Sequence, residues 1–121
     1  IHSSFLLIKA CLSLLRHSLN ASIIFTSSSV GRKARAYWGA YAVSKFATEG
    51  MMQLLADELE NTSKIRVNSL NPKATNTPMR RAAYPGEDPS ENPSPEEIMS
   101  AYLYLMGGKS TGITGKSFDA R

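Results

Sequence analysis

Apolar residues run almost unbroken through "FLLIKACLSLL", residues 5 to 15, where only Lys9 and Ser13 interrupt and Arg16 closes the run. This predicts a helix over 3–17, apolar most of the way round and buried on more than one side. "ASIIFTSS" follows. Its core, Ile23, Ile24 and Phe25, is short and unalternating, as in a parallel strand covered on both faces, and Ser27 and Ser28 stand at its carboxyl end. After a basic loop with Gly31 and Gly39, helical spacing returns over about residues 40–60. Ala47, Gly50, Met51, Leu54, Leu55 and Leu59 make the expected core face. Gly50 costs such a helix about 1 kcal/mol against alanine, which close approach of another backbone would explain.

"KIRVNSLNP" reads as a second buried strand ending at Pro72. Residues 72–95 read as loop, since four of the six prolines fall between 85 and 95 beside Glu87, Asp88 and Glu91. Such a segment is a disordered tether or a lid over a site. "SPEEIMSAYLYLMGG" predicts a helix with Ser94 as N-cap, Pro95 in its first position and glycines at its end. A short strand over about 116–119 completes the pattern. Alternation of this kind predicts an α/β fold with a parallel sheet.

At 121 residues the chain suffices for one small domain. It begins at Ile1, which reads as a fragment of something longer. Net charge is +4, and eleven of the fourteen Lys and Arg precede residue 82. Arg32, Lys33 and Arg35 beside Tyr37 and Trp38 suggest a nucleic-acid surface, but no recognised binding motif accompanies them. The expectation is a solvated loop, or one facing an anionic small molecule, and no nucleic-acid partner. The apolar run at 5–15 is far shorter than the roughly 20 residues that span a bilayer, so no membrane association is expected. Cys11 alone makes no internal disulfide and reads as a small buried side chain in a cytoplasmic protein. His2 and His17 lack partners at zinc spacing, so no metal site is expected.

The chemistry gathers in "TSSSVGRKARAYWGAYAVSK". Tyr41 and Lys45 are four apart and share one helix face. A phenol ordinarily titrates near 10 and is a poor base at neutral pH, but an ammonium nearby favours the phenolate. A tyrosine tuned in this way exchanges a proton with an alcohol or a developing alkoxide. Ser28, thirteen positions upstream, is placed to steady the reacting oxygen. Two decoys fail on spacing. "GGKSTGITGKS" lacks the earlier glycine of a phosphate loop, and "TSSSVG" lacks the glycine of a hydrolase elbow.

With "IIFTSSSVG", "YAVSK", "IRVNSLNP" and "TGITGKSFDA" in this order, the chain resembles the short-chain dehydrogenase/reductase family, from that family's middle to its carboxyl end. The details "WGAYAVSKFATEGMMQLLADE" and "YLYLMG" are closest to one bacterial branch. The resemblance implies the carboxyl-terminal part of a Rossmann-type doubly wound sheet, incomplete, with about three strands and three helices. It implies one partial NAD(P)-binding domain over 1–121, with 73–95 as a lid-like substrate segment. It implies hydride transfer between NAD(P)(H) and a small carbonyl or alcohol substrate. Tyr41 would be the general acid/base, Lys45 its partner and ribose ligand, and Ser28 the substrate anchor. Pro72 and Thr77 would contact the cofactor. Homo-oligomers would form through helices 3–17 and 40–60.

Three departures stand out. The glycine-rich phosphate turn does not occur in these residues. An assisting asparagine is implied at or just before Ile1, where His2 is the nearest polar residue. Pro72-Lys73 stands where the family has Pro-Gly, and lysine tolerates positive φ less well. The alternative is a truncated, inactive homologue serving as an interaction or oligomerisation module. In the parent fold a further strand would flank Ile23, so the isolated piece is expected to expose an apolar edge, to be poorly soluble and not to turn over NAD(P)H.

Overall fold

The computed structural model describes residues 1–121. Three strands, β1 (Ser22–Thr26), β2 (Arg66–Asn71) and β3 (Ser117–Asp119), form one parallel sheet in the order β1-β2-β3. Ser22 pairs with Arg66 and Thr26 with Leu70, while Ser69 pairs with Ser117. Four α-helices accompany them: α1 (His2–His17), α2 (Gly39–Glu60), α3 (Pro78–Ala83) and α4 (Met99–Met106). The fold is therefore part of a Rossmann-type α/β sheet, with one more helix than the sequence pattern suggests.

β2 is central and every one of its residues is buried. Its side chains alternate, as a strand demands. Val67 joins Phe25, Met52, Ala56 and Leu59 in the main core on the α2 side. Arg66 points the other way and donates to the Leu105 and Gly107 carbonyls at the end of α4. These carbonyls are the negative end of that helix, and with Asn20 Oδ1, which accepts from the same guanidinium at 2.7 Å, they hold the buried cation without a carboxylate, although its Nε has no partner.

α2 turns inward a face that only partly matches its apolar spacing: Leu59 is buried and Met51 and Leu55 pack on the core, but Gly50 and Leu54 face outward. Ala42, Glu49, Met52, Ala56 and Leu59 are buried, whereas Leu54 is 60% exposed. Gly50 faces open space and a β-carbon there would touch nothing within 4 Å, so no backbone approaches it. α1 also departs from expectation, because none of its residues is fully buried. Only Ile8, Leu12 and Leu15 pack on the core, and Phe5, Leu6, Leu7 and Leu14 are exposed. Cys11 is half-buried. β1 forms the sheet edge, and Ile23 and Ile24 are only half-buried rather than covered on both faces.

Residues 73–95 add nothing to the core except Thr75, yet they are not a structureless tether. Thr77 caps α3 by accepting the Arg80 N–H at 3.1 Å, with Pro78 at the first helical position. Arg80 donates twice to Glu87, at 3.0 and 2.8 Å, and the Asn92 amide donates to the same carboxylate. In the next segment the first turn, Glu96–Ile98, is 3-10, and α4 begins only at Met99. Glu97 nonetheless accepts the Ser94 N–H, the reciprocal half of a capping box. No helix is long and apolar enough to cross a membrane.

Candidate active site

Parallel strands of an α/β sheet bring their carboxyl ends to one rim, and ligands gather there. On this rim β1 ends at Thr26 and a 3-10 turn, Ser29–Gly31, follows. Ser28 caps that turn, its hydroxyl accepting the Val30 N–H at 3.4 Å. The hydroxyl proton is left free to donate. Tyr41 and Lys45 lie in the first two turns of α2. The Lys45 Nζ sits 5.6 Å from the centre of the Tyr41 ring, so the two side chains share a face as their spacing requires. That ammonium donates to the Thr26 carbonyl at 3.1 Å, two residues before Ser28. It has two further protons available. Tyr41 is 39% exposed and accessible to a reactant.

A second contact ties the serine turn to α2. A β-carbon on Gly31 would lie 2.8 Å from the Lys45 carbonyl oxygen and 3.0 Å from its carbonyl carbon. Only glycine lets the turn close this far on the helix. Arg32, next in the chain, is not the solvated or ligand-facing cation that the basic loop suggests. Its guanidinium pairs with Glu49 at 3.4 Å and Asp119 at 2.8 Å, and donates to the Phe118 carbonyl. Glu49, 5% exposed, also accepts from the Ser69 and Ser117 hydroxyls at 2.8 and 3.0 Å. Burial pushes its carboxyl up, but serine hydroxyls and the Arg32 guanidinium outweigh burial and hold it below the usual carboxylate range. Ser27 bears on the same carboxylate, although its buried Oγ has no hydrogen-bond partner of ordinary geometry. Asp119 follows the same balance: partial burial raises it, and Arg32 and Asn71 lower it further.

Pro72 and Thr77 flank the turn that leaves β2. Lys73 does adopt the glycine-like conformation, with φ 60°, so the Pro-Lys sequence keeps a left-handed turn. Its N–H donates to Asn71 Oδ1 at 3.0 Å, and Thr75 donates to its carbonyl at 3.1 Å. Thr77 sits half-buried at the α3 cap. A groove of about 360 Å³ leads from Lys45 along β1, lined by Leu7, Ile8, Ile23, Ile24 and Phe25. A larger cleft of about 510 Å³ lies around Asn20, Arg66 and Thr114, where β1 and β2 begin. It includes none of the residues above, and its buried cation is already occupied by the end of α4.

Residues 1–88 match the family model described as short chain dehydrogenase. This chain belongs to the short-chain dehydrogenase family. The oxidoreductase YciK of Escherichia coli is 54% identical over 121 residues, which cover all of this chain and 47% of YciK. Among solved structures, a short-chain dehydrogenase from Pseudomonas syringae superposes with a TM-score of 0.97 at 61% identity, over 100% of this chain and 49% of that one. A short-chain dehydrogenase from E. coli CFT073, solved with NADPH, gives 0.95 at 54% identity, over 100% and 50%. The chain spans about half the length of the relatives it matches.

For a short-chain dehydrogenase, the sequence motifs locate the serine turn and the Tyr–Lys helix but miss what holds them. Gly31 is visible as a glycine after the serines, yet nothing in the order of residues says that Lys45 lies against it. Arg32 and Glu49 are 17 positions apart and Arg32 and Asp119 are 87 apart, so no local spacing announces their pairing. The buried glutamate had one faint signal: a charged residue, Glu49, interrupting the small and apolar stretch that follows "YAVSK".

Proposed function

We propose that the protein carrying this chain is an NAD(P)(H)-dependent oxidoreductase acting on a small carbonyl or alcohol substrate. The observation that carries the reading is the Tyr41–Lys45 pair, its ammonium bonded to the end of the Ser28 strand, on the ligand-binding rim of the sheet. When bound, a nicotinamide cofactor supplies or receives the hydride. Ser28 donates a hydrogen bond to the substrate oxygen and fixes its position. Tyr41 gives its phenolic proton to that oxygen in reduction and takes it back in oxidation. Lys45 holds its ammonium beside the Tyr41 ring, and its remaining protons suit the hydroxyls of a ribose. The cofactor's nicotinamide end fits the residues present: a half-buried ammonium with two unused donors and, on the segment leaving the neighbouring strand, Pro72 and the Thr77 hydroxyl. The pyrophosphate cradle is not among them, so the 121 residues alone are not expected to turn over NAD(P)H.

The test is Tyr41→Phe in the complete gene product. Loss of a positioned proton donor costs about 10²–10⁴-fold in turnover, while cofactor affinity stays near the parent value. A fully active Phe variant sinks the assignment.

A second reading concerns assembly and rests on exposed apolar side chains. Phe5, Leu6 and Leu14 on α1, with Val43, Phe46 and Leu54 on α2, are 45–76% exposed. A second copy of the protein, presenting the same two helices, would cover them. Light scattering on the complete product, with Phe46→Glu as the disruptive variant, decides this. Unchanged mass in that variant rules out the α2 face.

A further inference from the structure

Beside the dyad lies an aromatic cluster that does not belong to the core. The Trp38 ring is 5.7 Å from the Tyr41 ring and 6.5 Å from the Tyr84 ring, tilted by 45° and 43°. The Arg80 guanidinium stands 3.8 Å from the centre of Tyr84. Arg80 is itself clamped by the two hydrogen bonds to Glu87, whose carboxylate neutralises it. Tyr84 is 36% exposed, Trp38 is half-buried, and Met79 on α3 is exposed. Single exposed apolar side chains need no explanation, but a contiguous patch of rings does. This patch joins residues 78–87 to the start of α2 and touches the ring of the proposed proton donor. The pinning matters as well, because rings held in place lose little freedom when a ligand stacks on them.

We propose that Trp38 and Tyr84 form a preformed aromatic wall that receives the body of the substrate while its oxygen meets Tyr41, and that the substrates are ring-bearing apolar ketones and their secondary alcohols. Short-chain ketones would leave the wall uncovered. Anionic substrates would find the stacked cation already paired with Glu87. The inference rests on the assignment of Tyr41 above. Trp38 and Tyr84 are specificity residues and take no part in proton transfer.

The experiment uses the complete gene product with NADPH, and compares 2-decalone with 2-butanone. The expected kcat/KM for 2-decalone is at least about tenfold higher, the scale of one or two aromatic contacts. Trp38→Ala and Tyr84→Ala each lower the 2-decalone value about tenfold, mainly through KM, and reduce the preference over 2-butanone by a similar factor. Trp38→Phe, which keeps a ring, retains most of the preference. Equal losses for both ketones, or a wild-type preference for 2-butanone, overturn the wall. Binding supplies a readout that needs no turnover. Trp38 is the single tryptophan of these 121 residues, and subtracting the change seen in Trp38→Phe isolates its part of the complete product's emission. Titration with 2-decalone should change its emission saturably, at a Kd about tenfold weaker in Tyr84→Ala; no saturable change overturns the proposal even if no ketone is reduced. Activity surviving in Tyr41→Phe would refute the acid/base assignment while leaving the titration to judge the wall.

Discussion

Gly31→Ala puts one methyl group between the serine turn and the Tyr–Lys helix. That β-carbon would stand 2.8 Å from the Lys45 carbonyl oxygen and 3.0 Å from both its carbonyl carbon and its Cβ, closer than real β-carbons come to such atoms. Two of the three atoms are helix backbone, so no change of rotamer relieves the contact. Gly31 has no positive φ, which leaves the clash as the whole effect. Overpacking of this kind costs about 1–3 kcal/mol, and the turn or the helix must give by roughly half an ångström. The displacement falls between Ser28 and Tyr41, where misplacement of about 1 Å costs on the order of 10²-fold in rate. Urea unfolding of the complete gene product should therefore show a lower midpoint at unchanged slope, and turnover should fall about tenfold or more. Gly50→Ala is the internal control. Its β-carbon meets nothing within 4 Å in this chain, so the helix alone should gain about 0.5–1 kcal/mol, and a loss instead would place Gly50 under the second copy proposed on the α2 face. An unchanged midpoint and rate in Gly31→Ala would refute the argument that this glycine sets the spacing of the site.

Glu49→Gln removes the charge and one of the two oxygens that accept from Ser69, Ser117 and Arg32, and should cost about 1.5–3 kcal/mol by urea unfolding; a neutral outcome would show the network to be incidental. Glu49 and Asp119 both have folded pKa values below their ordinary ones, so their contribution is complete above pH about 4.5 and is lost as acid is added, never as base is added. Glu87 is held at about 2 by Arg80 and Asn92, so the order of residues 78–92 should persist down to pH about 4.5 and fail between there and pH 2. Amide exchange reads this, and loosening of that segment between pH 7 and 5 would contradict it. Lys73→Gly relieves a left-handed lysine and should raise stability by about 0.5–1 kcal/mol, as measured by thermal unfolding; a loss would mean that the lysine side chain itself is needed.

β1 was readable as a short apolar run bounded by polar residues; β2, with only Val67 and Leu70 apolar in RVNSLN, was readable only as an extended stretch ending at Pro72, and the Tyr41–Lys45 pair because four-residue spacing fixes a shared face. The inward face of α2 was readable only in part, at Met51, Leu55 and Leu59. Leu54 and Gly50 fall at helical spacing yet face outward, while Glu49 is buried, because apolar character shows what tolerates burial and not which side is covered. α1 misleads in the same way: its run of leucines exceeds what this sheet covers. Residues 73–95 read as a tether or a lid, and their order comes from the Arg80–Glu87 pair within the segment, which a count of prolines and acids hides. The exchange of glycine for lysine at 73 suggested a disturbed turn. The Asn71 side chain accepts the Lys73 N–H and the turn survives.

Arg32 finds Asp119 across 87 positions, and Glu49 finds Ser117 across 68. During synthesis the serine turn and the Tyr–Lys helix leave the ribosome long before β3 does. Until that strand docks, the carboxylate beneath them lacks one of its hydroxyls and Arg32 lacks its second acid. Closure of such distant contacts is slow. The charge network that braces Arg32 and Glu49 beneath that helix is thus complete only once the last few residues of this sequence have been translated.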